Sequence, residues 1–252
     1  MTAPHEARPD DPLVRWMVAP GGIGDLSAGP EAVAEGANVA WLGRASRPGE
    51  RWVTGLGEDP EAVVRLVARI ASEHEVDGVT ITESAFGHLP PELTSPDPGH
   101  WCFWTLDPAD AVLGPSSALE LALDDPRIGP LLAHSDSAHI FPGNPRIVRW
   151  AGVEQDGALV AVAGQVNEPS GAAHLLSVCT HPDHRGCGLA REACTTVMAA
   201  AIADGAPMLV LEMYTANESG RRAYSALGFV ERGRYASGLL AHALPPRRPE
   251  VS

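Results

Sequence analysis

One stretch limits what this chain can fold into more than any other: LLSVCTHPDHRGCGLAREA, residues 175–193. Apolar and β-branched residues run up to Thr180 and read as a strand, Ala173–Thr180. Pro182 cannot donate to a sheet and breaks the strand there. Gly186 and Gly188 follow, and then Leu189, Ala190, Ala193, Cys194, Val197, Met198, Ala201 and Ile202 recur at helical spacing until Asp204-Gly205. Glycines between a strand and a helix let the backbone approach a ligand without interference from a Cβ atom. The helix start adds unpaired N–H groups and a partial positive charge, which together suit a diphosphate. Taken alone, this licenses an anion site, and a plain tight turn explains the same glycine pair.

The neighbouring elements are read in the same way. Residues 147–155 and 158–166 flank Asp156-Gly157, a hairpin signal because a two-residue type I′ turn needs positive φ twice. Residues 208–214 form a nearly all-apolar strand, as in a sheet covered on both faces. A short helix over 218–227 ends at Gly228, and Phe229-Val230 begins the last strands. Residues 101–106 read as a strand, and 116–135 as one or two short helices broken at Pro126 and Pro130. Ser95-Pro96-Asp97-Pro98-Gly99 is a turn-rich connector. Before it, residues 13–18, 38–42, 51–54 and 78–82 read as strands. Asp59 as N-cap and Pro60 open a helix whose apolar face is Val63, Leu66, Val67 and Ile70. The expected organisation is an N-terminal α/β lobe over 1–98, the domain with the glycine loop over 99–244, and a disordered tail over 245–252. Gly21-Gly22-Ile23-Gly24 lacks the GK[S/T] of a phosphate loop and reads as a turn.

Arg185-x-x-Gly188-x-Ala190 fits the [Q/R]-x-x-G-x-[G/A] signature, and the chain here resembles the GNAT superfamily of acyl-CoA N-acyltransferases. Asn217-Glu218-Ser219-Gly220-Arg221-Arg222-Ala223-Tyr224, followed by Leu227-Gly228-Phe229, is similar to that superfamily's second signature. The two occur in order with one strand between them, and the resemblance covers about residues 100–242. The lead-in Val178-Cys179-Thr180-His181-Pro182 and the extra N-terminal half resemble the glycine N-acyltransferase-like branch, in which a degenerate N-terminal lobe accompanies a working C-terminal one.

The resemblance implies a mixed α/β fold, with a splayed central sheet flanked by helices and an additional N-terminal α/β lobe. It implies acetyl-CoA, or another short acyl-CoA, as co-substrate and a small-molecule or peptide amine as acceptor. The strand ending at Thr180 would part from the one starting at Met208, and backbone groups of Val178, Cys179 and Thr180 would pair with the pantetheine arm. Arg185 and the amides of Gly186, Cys187, Gly188, Leu189 and Ala190 would hold the pyrophosphate, and Asn217 would touch the pantetheine. Tyr224 would be the general acid for the leaving thiolate, and the Val178 amide would polarise the acyl carbonyl. By spacing alone Tyr224 is a core-edge residue, and Asn217 is equally an N-cap. Glu212 and His174, on the two parting strands, are the candidates for general base, with water as the alternative. No His/Asp partner is arranged around Cys179 or Cys187, so an acyl-cysteine route is rejected.

Composition narrows the partners. A net charge of −14 disfavours nucleic acid and anionic membrane surfaces. No apolar run reaches the ~18 residues of a membrane span, residues 1–12 do not read as a signal peptide, and the four cysteines show no C-x-x-C pair. A cytoplasmic monomer or homodimer with reduced thiols is expected. The histidines form no H-x-x-x-H pattern, so no structural metal is expected. Two rival readings stand beside the enzyme. A dinucleotide-binding domain fails for want of G-x-G-x-x-G and a ribose-binding acid. The other rival is a non-catalytic acyl-CoA sensor or interaction protein with the same fold.

Overall fold

The computed structural model describes residues 4–19, 32–44 and 49–244. The Gly21–Gly24 turn and the 245–252 tail lie outside the described residues. The chain forms two compact units, Met1–Trp101 with Gly233–Ser252, and Cys102–Arg232. It passes from one to the other within strands.

The first unit contains α1 (Pro4–Ala7), α2 (Pro12–Met17), β1 (Ala32–Glu35), β2 (Asn38–Arg44), β3 (Arg51–Leu56), α3 (Pro60–Glu73), β4 (Gly78–Thr82) and α4 (Glu83–Phe86). Strands β1, β2 and β3 form an antiparallel ladder, and β4 joins β3 in parallel. Residues 13–18 are not the strand that their apolar run predicts. The Asp11 carboxylate accepts from the Leu13 and Val14 amides, Pro12 occupies the first helical position, and the short helix α2 buries Leu13, Val14, Trp16 and Met17. This Asp-Pro start is the signal that opens α3 at Asp59-Pro60, where the periodic face is longer and easier to read. On α3, Val63, Leu66, Val67 and Ile70 are buried together with Val53, Val79 and Ile81.

The second unit is built from β5 (Gly99–Leu106), β6 (Leu119–Leu121), α5 (Ile128–Leu132), β7 (Ile147–Gln155), β8 (Ala158–Asn167), β9 (Ala173–Thr180), α6 (Leu189–Ala203), β10 (Leu209–Tyr214), α7 (Glu218–Ala226) and β11 (Val230–Leu239), whose first residues belong here. Its strand order is β5-β10-β9-β8-β7-β6. The β7–β8 hairpin turns on Asp156 and Gly157, with φ of 50° and 79°, as a type I′ turn requires.

Residues 116–135 depart from expectation: 119–121 pair with β7 as strand β6, and the one helix is α5. Pro130 lies inside α5 rather than ending it, because a proline in the first turn removes an N–H that has no intrahelical acceptor. Both sheet faces are covered. Helix α6 buries Ala193, Cys194, Val197 and Met198 against Leu175, Leu209 and Leu211 on one face. Helix α5 packs Ile128, Leu131 and Leu132 on Trp150, Val162 and Leu176 on the other. The second unit is thus a mixed α/β layer structure with a central sheet flanked by helices, and that sheet splits at its centre.

Candidate active site

Strands β9 and β10 start side by side and then part. They pair at Ala173 with Leu209 and at His174 with Val210, and at no later position, although β9 continues to Thr180 and β10 to Tyr214. A bulge lies just beyond the fork. On its other edge β9 pairs with β8 up to Leu176 opposite Gly164 and resumes at Cys179 opposite Val162, so Ser177 and Val178 together face Ala163. Ser177 adopts φ of 49°, a left-handed value uncommon outside glycine, and its hydroxyl donates to the Ile140 carbonyl at 2.8 Å.

The extra residue shifts the phase of the strand. Before it, the Ala173 amide donates to Met208 on the β10 side; after it, the His181 amide donates to Val160 on the β8 side, at 2.9 and 2.8 Å. Strand alternation then turns the Val178 and Thr180 amides toward the edge that β10 has left. The side chains record the same shift. Leu175 lies in the cluster around α6 and Leu176 in that around α5, whereas after the bulge Val178 packs toward α6 and Cys179 toward α5.

The glycine loop closes one end of this gap. Pro182–His184 make a single 3-10 turn. The Arg185 guanidinium donates to the carbonyls of Thr180 and His134, both at 3.3 Å, and so clasps the loop to the strand. Gly186 and Gly188 have φ of 80° and 81°, and open space lies where either would carry a Cβ atom. Gly188 caps α6 without any side chain to satisfy the first amides. Gly186, Cys187 and Gly188 are exposed, while Leu189 anchors the helix start beside Val153 and Val160 and Ala190 is half-buried. The amides at this positive end are therefore offered to an outside anion.

Two chemically distinct groups flank the gap from opposite faces. Tyr224 on α7 packs on the α6 cluster, edge-on to Phe229 at 6.1 Å between ring centres. Burial there, with Cys194 nearby, holds its phenol protonated well above the usual range. Asn217 caps α7, its carbonyl oxygen accepting from the Gly220 amide at 2.8 Å and the Ser219 hydroxyl at 3.0 Å, and the side chain is exposed. Glu212 lies two residues past the last pairing of β10. Leu209, Leu211 and Met213 point to the α6 cluster, so alternation puts Glu212 on the other face. The residue as a whole is exposed. Desolvation of the carboxyl by the protein around it raises its pKa and Glu168 adds to this, while His174 and His139 pull it back.

His174, the last residue of β9 to pair with β10, is buried on the same face as Glu212. Its Nδ1 is 2.8 Å from Glu168 Oε1, and Arg146 donates to both Glu168 oxygens at 3.1 and 3.2 Å. Burial pushes the Glu168 carboxyl up, but His174 and Arg146 outweigh it and the net shift is downward. Sequence reasoning missed Glu168, because Glu168-Pro169-Ser170-Gly171 reads as an ordinary solvated turn. It also passed over Ser177, whose polar break in Leu175-Leu176-Ser177-Val178 was the available sign of a bulge.

Cys102, Cys179 and Cys194 are buried, Cys187 is exposed, and none is in a disulfide. Burial raises the Cys179 thiol and pushes Cys194 up to about 12. His134, His181 and His184 gather at the start of the loop, with ring centres 4.8 and 5.7 Å apart in sequence. Among the described residues no group of three or more His, Cys, Asp or Glu is placed to hold a metal ion, and no helix is long and apolar enough to cross a membrane. An open hollow of about 560 Å³, lined by Pro126, Pro130, Leu131, His134, Leu159 and His181 among others, adjoins this loop. None of residues 174–180 or 209–214 lines it, so it is separate from the gap.

Residues 118–229 match the family model described as Acetyltransferase (GNAT) family. A GNAT-family acetyltransferase structure from Novosphingobium aromaticivorans DSM 12444 is similar at 26% identity, over 92% of this chain and 96% of its own, with a TM-score of 0.57. A GCN5-related N-acetyltransferase from Kribbella flavida aligns at 17% identity over 93% and 95%, with a TM-score of 0.56. One from Sphaerobacter thermophilus aligns at 16% over 85% and 82%, with a TM-score of 0.52. The last two show likeness of fold alone. No curated protein sequence matches the chain. The forked sheet, the glycine loop and the family match coincide in one segment, residues 118–229, which is similar to the GNAT acetyltransferase family.

Proposed function

We propose that this protein is an N-acetyltransferase that moves the acetyl group of acetyl-CoA, or another short acyl group, to a primary amine of a small molecule or peptide by direct attack in a ternary complex. One observation carries the reading: β9 and β10 separate after two paired positions, and the bulge at Ser177 turns the Val178 and Thr180 amides into the space between them. That edge offers a strand's worth of hydrogen bonds to an extended amide-bearing arm, which is the chemistry of pantetheine. The positive-φ glycines and open amides from Gly186 to Ala190 fit a pyrophosphate, with Arg185 holding the loop in shape. Asn217 keeps its side-chain amide for the arm while its oxygen caps α7.

The residues divide the reaction between the two faces of the gap. The Val178 amide donates to the acyl carbonyl oxygen as negative charge develops there. On the α5 face, Glu212 accepts the proton that the amine must lose before it can attack; a carboxylate raised by its surroundings is the better base near neutral pH. On the α6 face, Tyr224 donates to the departing thiolate. The amide product, free thiol and one released proton balance the reaction.

We further propose that the protein is cytoplasmic and belongs to the glycine N-acyltransferase-like branch, with the N-terminal unit as a degenerate lobe that binds no CoA. The pattern β3–α3–β4 supports this, because it repeats the strand–helix–strand order of the active segment without a glycine loop. A panel of amines with acetyl-CoA, read by thiol release, tests the function. Release with one or more amines is expected. Binding of acetyl-CoA without release for any amine would instead favour a sensor, and no binding at all would overturn the reading.

A further inference from the structure

We propose that Arg221 is a positioning residue for the reaction: seated on Trp104 and paired with Glu231, it fixes the rotation of α7 about its axis and so the place of the Tyr224 hydroxyl at the gap. This rests on the acetyltransferase reading and on Tyr224 as its general acid.

The helix needs such an anchor. It has nine residues, and none of them is buried. A helix so short takes its orientation from tertiary contacts rather than from its own stability. Its packed stripe is Gly220, Arg221, Ala223 and Tyr224, all half-buried, while the rest of the helix is exposed. Only Arg221 and Tyr224 carry long side chains on that stripe, and at three residues apart they are neighbours on the helix surface. Tyr224 packs on the α6 cluster. The Arg221 guanidinium lies over the Trp104 ring of β5, 5.5 Å from its centre. Its Nη1 donates to the Glu231 carboxylate on β11, and its Nε is 3.8 Å from Glu218 on α7 itself. A planar cation stacked on an indole and paired with a carboxylate is held in orientation as well as distance, which an apolar side chain or an ammonium is not.

The contact continues to the edge of the gap. Trp104 belongs to the cluster on which Tyr224 packs, and its Nε1 donates to the Cys102 sulfur at 3.0 Å. The Cys102 thiol in turn donates to the Met213 carbonyl at 3.5 Å. Met213 lies on β10 beyond Val210, the last position paired with β9, so this line ends on the strand that bounds the gap. The helix that carries the acid is thereby registered against that strand. The phenol oxygen stands at the far end of its side chain, and a small rotation of α7 carries it further than the helix itself. The side chains of Arg221 and Glu231 are each 23% exposed, and a pair that solvent still reaches contributes little to stability. Its loss should therefore show in the rate more than in the melting temperature.

The full chain, labelled with ¹³C at the tyrosine rings, gives a readout without turnover. The chain has three tyrosines, and Tyr→Phe variants assign their signals. In Arg221→Gln the Tyr224 signal should move while that of Tyr235, in the other unit, stays. With an amine identified in the panel, Arg221→Gln should lower kcat by roughly 10–10²-fold at unchanged KM for acetyl-CoA. Arg221→Lys keeps the charge without the planar stack and should recover part of the rate. Glu231→Gln leaves the helix sequence intact, serves where Arg221→Gln folds poorly, and should give a smaller loss in the same direction. In a Tyr224→Phe background Arg221→Gln should cost nothing further, because no proton donor is left to place. An unmoved Tyr224 signal, full kcat in Arg221→Gln with only a lower melting temperature, or an equal loss in both backgrounds sinks the positioning role alone. Full activity in Tyr224→Phe removes the acid and its positioning together. Wild-type protein that binds acetyl-CoA but acetylates nothing sinks the function, and the positioning role with it.

Discussion

The chain builds a strand, a helix and a parallel strand twice, and the two versions are opposite in one respect. In β3–α3–β4 the Asp59 carboxylate accepts from the Glu61 and Ala62 amides, so the positive end of α3 is filled by the chain itself. Strands β3 and β4 then stay paired from Trp52 opposite Gly78 to Gly55 opposite Ile81. In β9–α6–β10 the cap is Gly188, which has no side chain to give, and the strands separate after two positions. The first version uses its hydrogen-bonding groups to hold the fold. The second leaves amides at the helix start and along a strand edge unspent, and a ligand of matching shape recovers what the fold forgoes. In the proposed function the binding site is made by omission.

Filling the open version from within should have the largest effect. Gly188→Glu places a carboxylate where an outside anion would lie, as Asp59 does in α3, and stabilisation by acetyl-CoA in a thermal-shift measurement should vanish. Gly188→Asn, which tolerates the left-handed backbone and adds no charge, should keep most of it. For wild type, acetyl-CoA at 100 times its Kd should stabilise by about 2.7 kcal/mol. Equal shifts in Gly188→Glu and wild type would mean that the loop is not the anion site.

Next in size is Tyr224→Phe, which keeps ring, packing and helix and removes one proton. The turnover rate should fall by roughly 10²–10⁴ with acetyl-CoA binding nearly unchanged. Full activity across pH would reduce Tyr224 to the core-edge residue that its spacing alone describes, and the cofactor site would survive.

Much of this was legible in the chain and some was not. The second unit carries redundant signals: Asp156-Gly157 for the hairpin, eight residues at helical spacing for α6, and glycines at both ends of that helix. The splayed α/β sheet followed from two signatures in the right order. Single apolar runs were less informative, because residues 13–18 satisfy a strand and a helix equally until Asp11-Pro12 is read as a cap. Residues 119–121 are too short to show a period, and Pro130 looks like a breaker unless its place in the first turn is known. The Glu168–His174 pair was invisible for another reason: burial of a turn residue depends on Arg146 and on a strand pairing that no local pattern encodes.

The bulge gives a smaller effect that separates the two strand pairs. Ser177→Val forces a β-branched residue to φ of 49° and should cost about 1–3 kcal/mol of stability, with weaker acetyl-CoA binding if the bulge straightens. Ser177→Gly should keep the bulge and the affinity, and lose about 0.5–1.5 kcal/mol with the hydrogen bond to Ile140. Chemical denaturation beside a binding titration reads both. The smallest effect belongs to the closed version: Asp59→Ala should cost about 1 kcal/mol of stability as a lost N-cap and leave acetyl-CoA affinity where it was.

The most direct test is the stoichiometry of acetyl-CoA binding by titration calorimetry on the full chain. One open and one closed strand–helix–strand unit predict one molecule bound per chain, with no heat from Gly188→Glu and undiminished binding by Asp59→Ala. Two molecules per chain, no heat from wild type, or loss of binding in Asp59→Ala alone would contradict it.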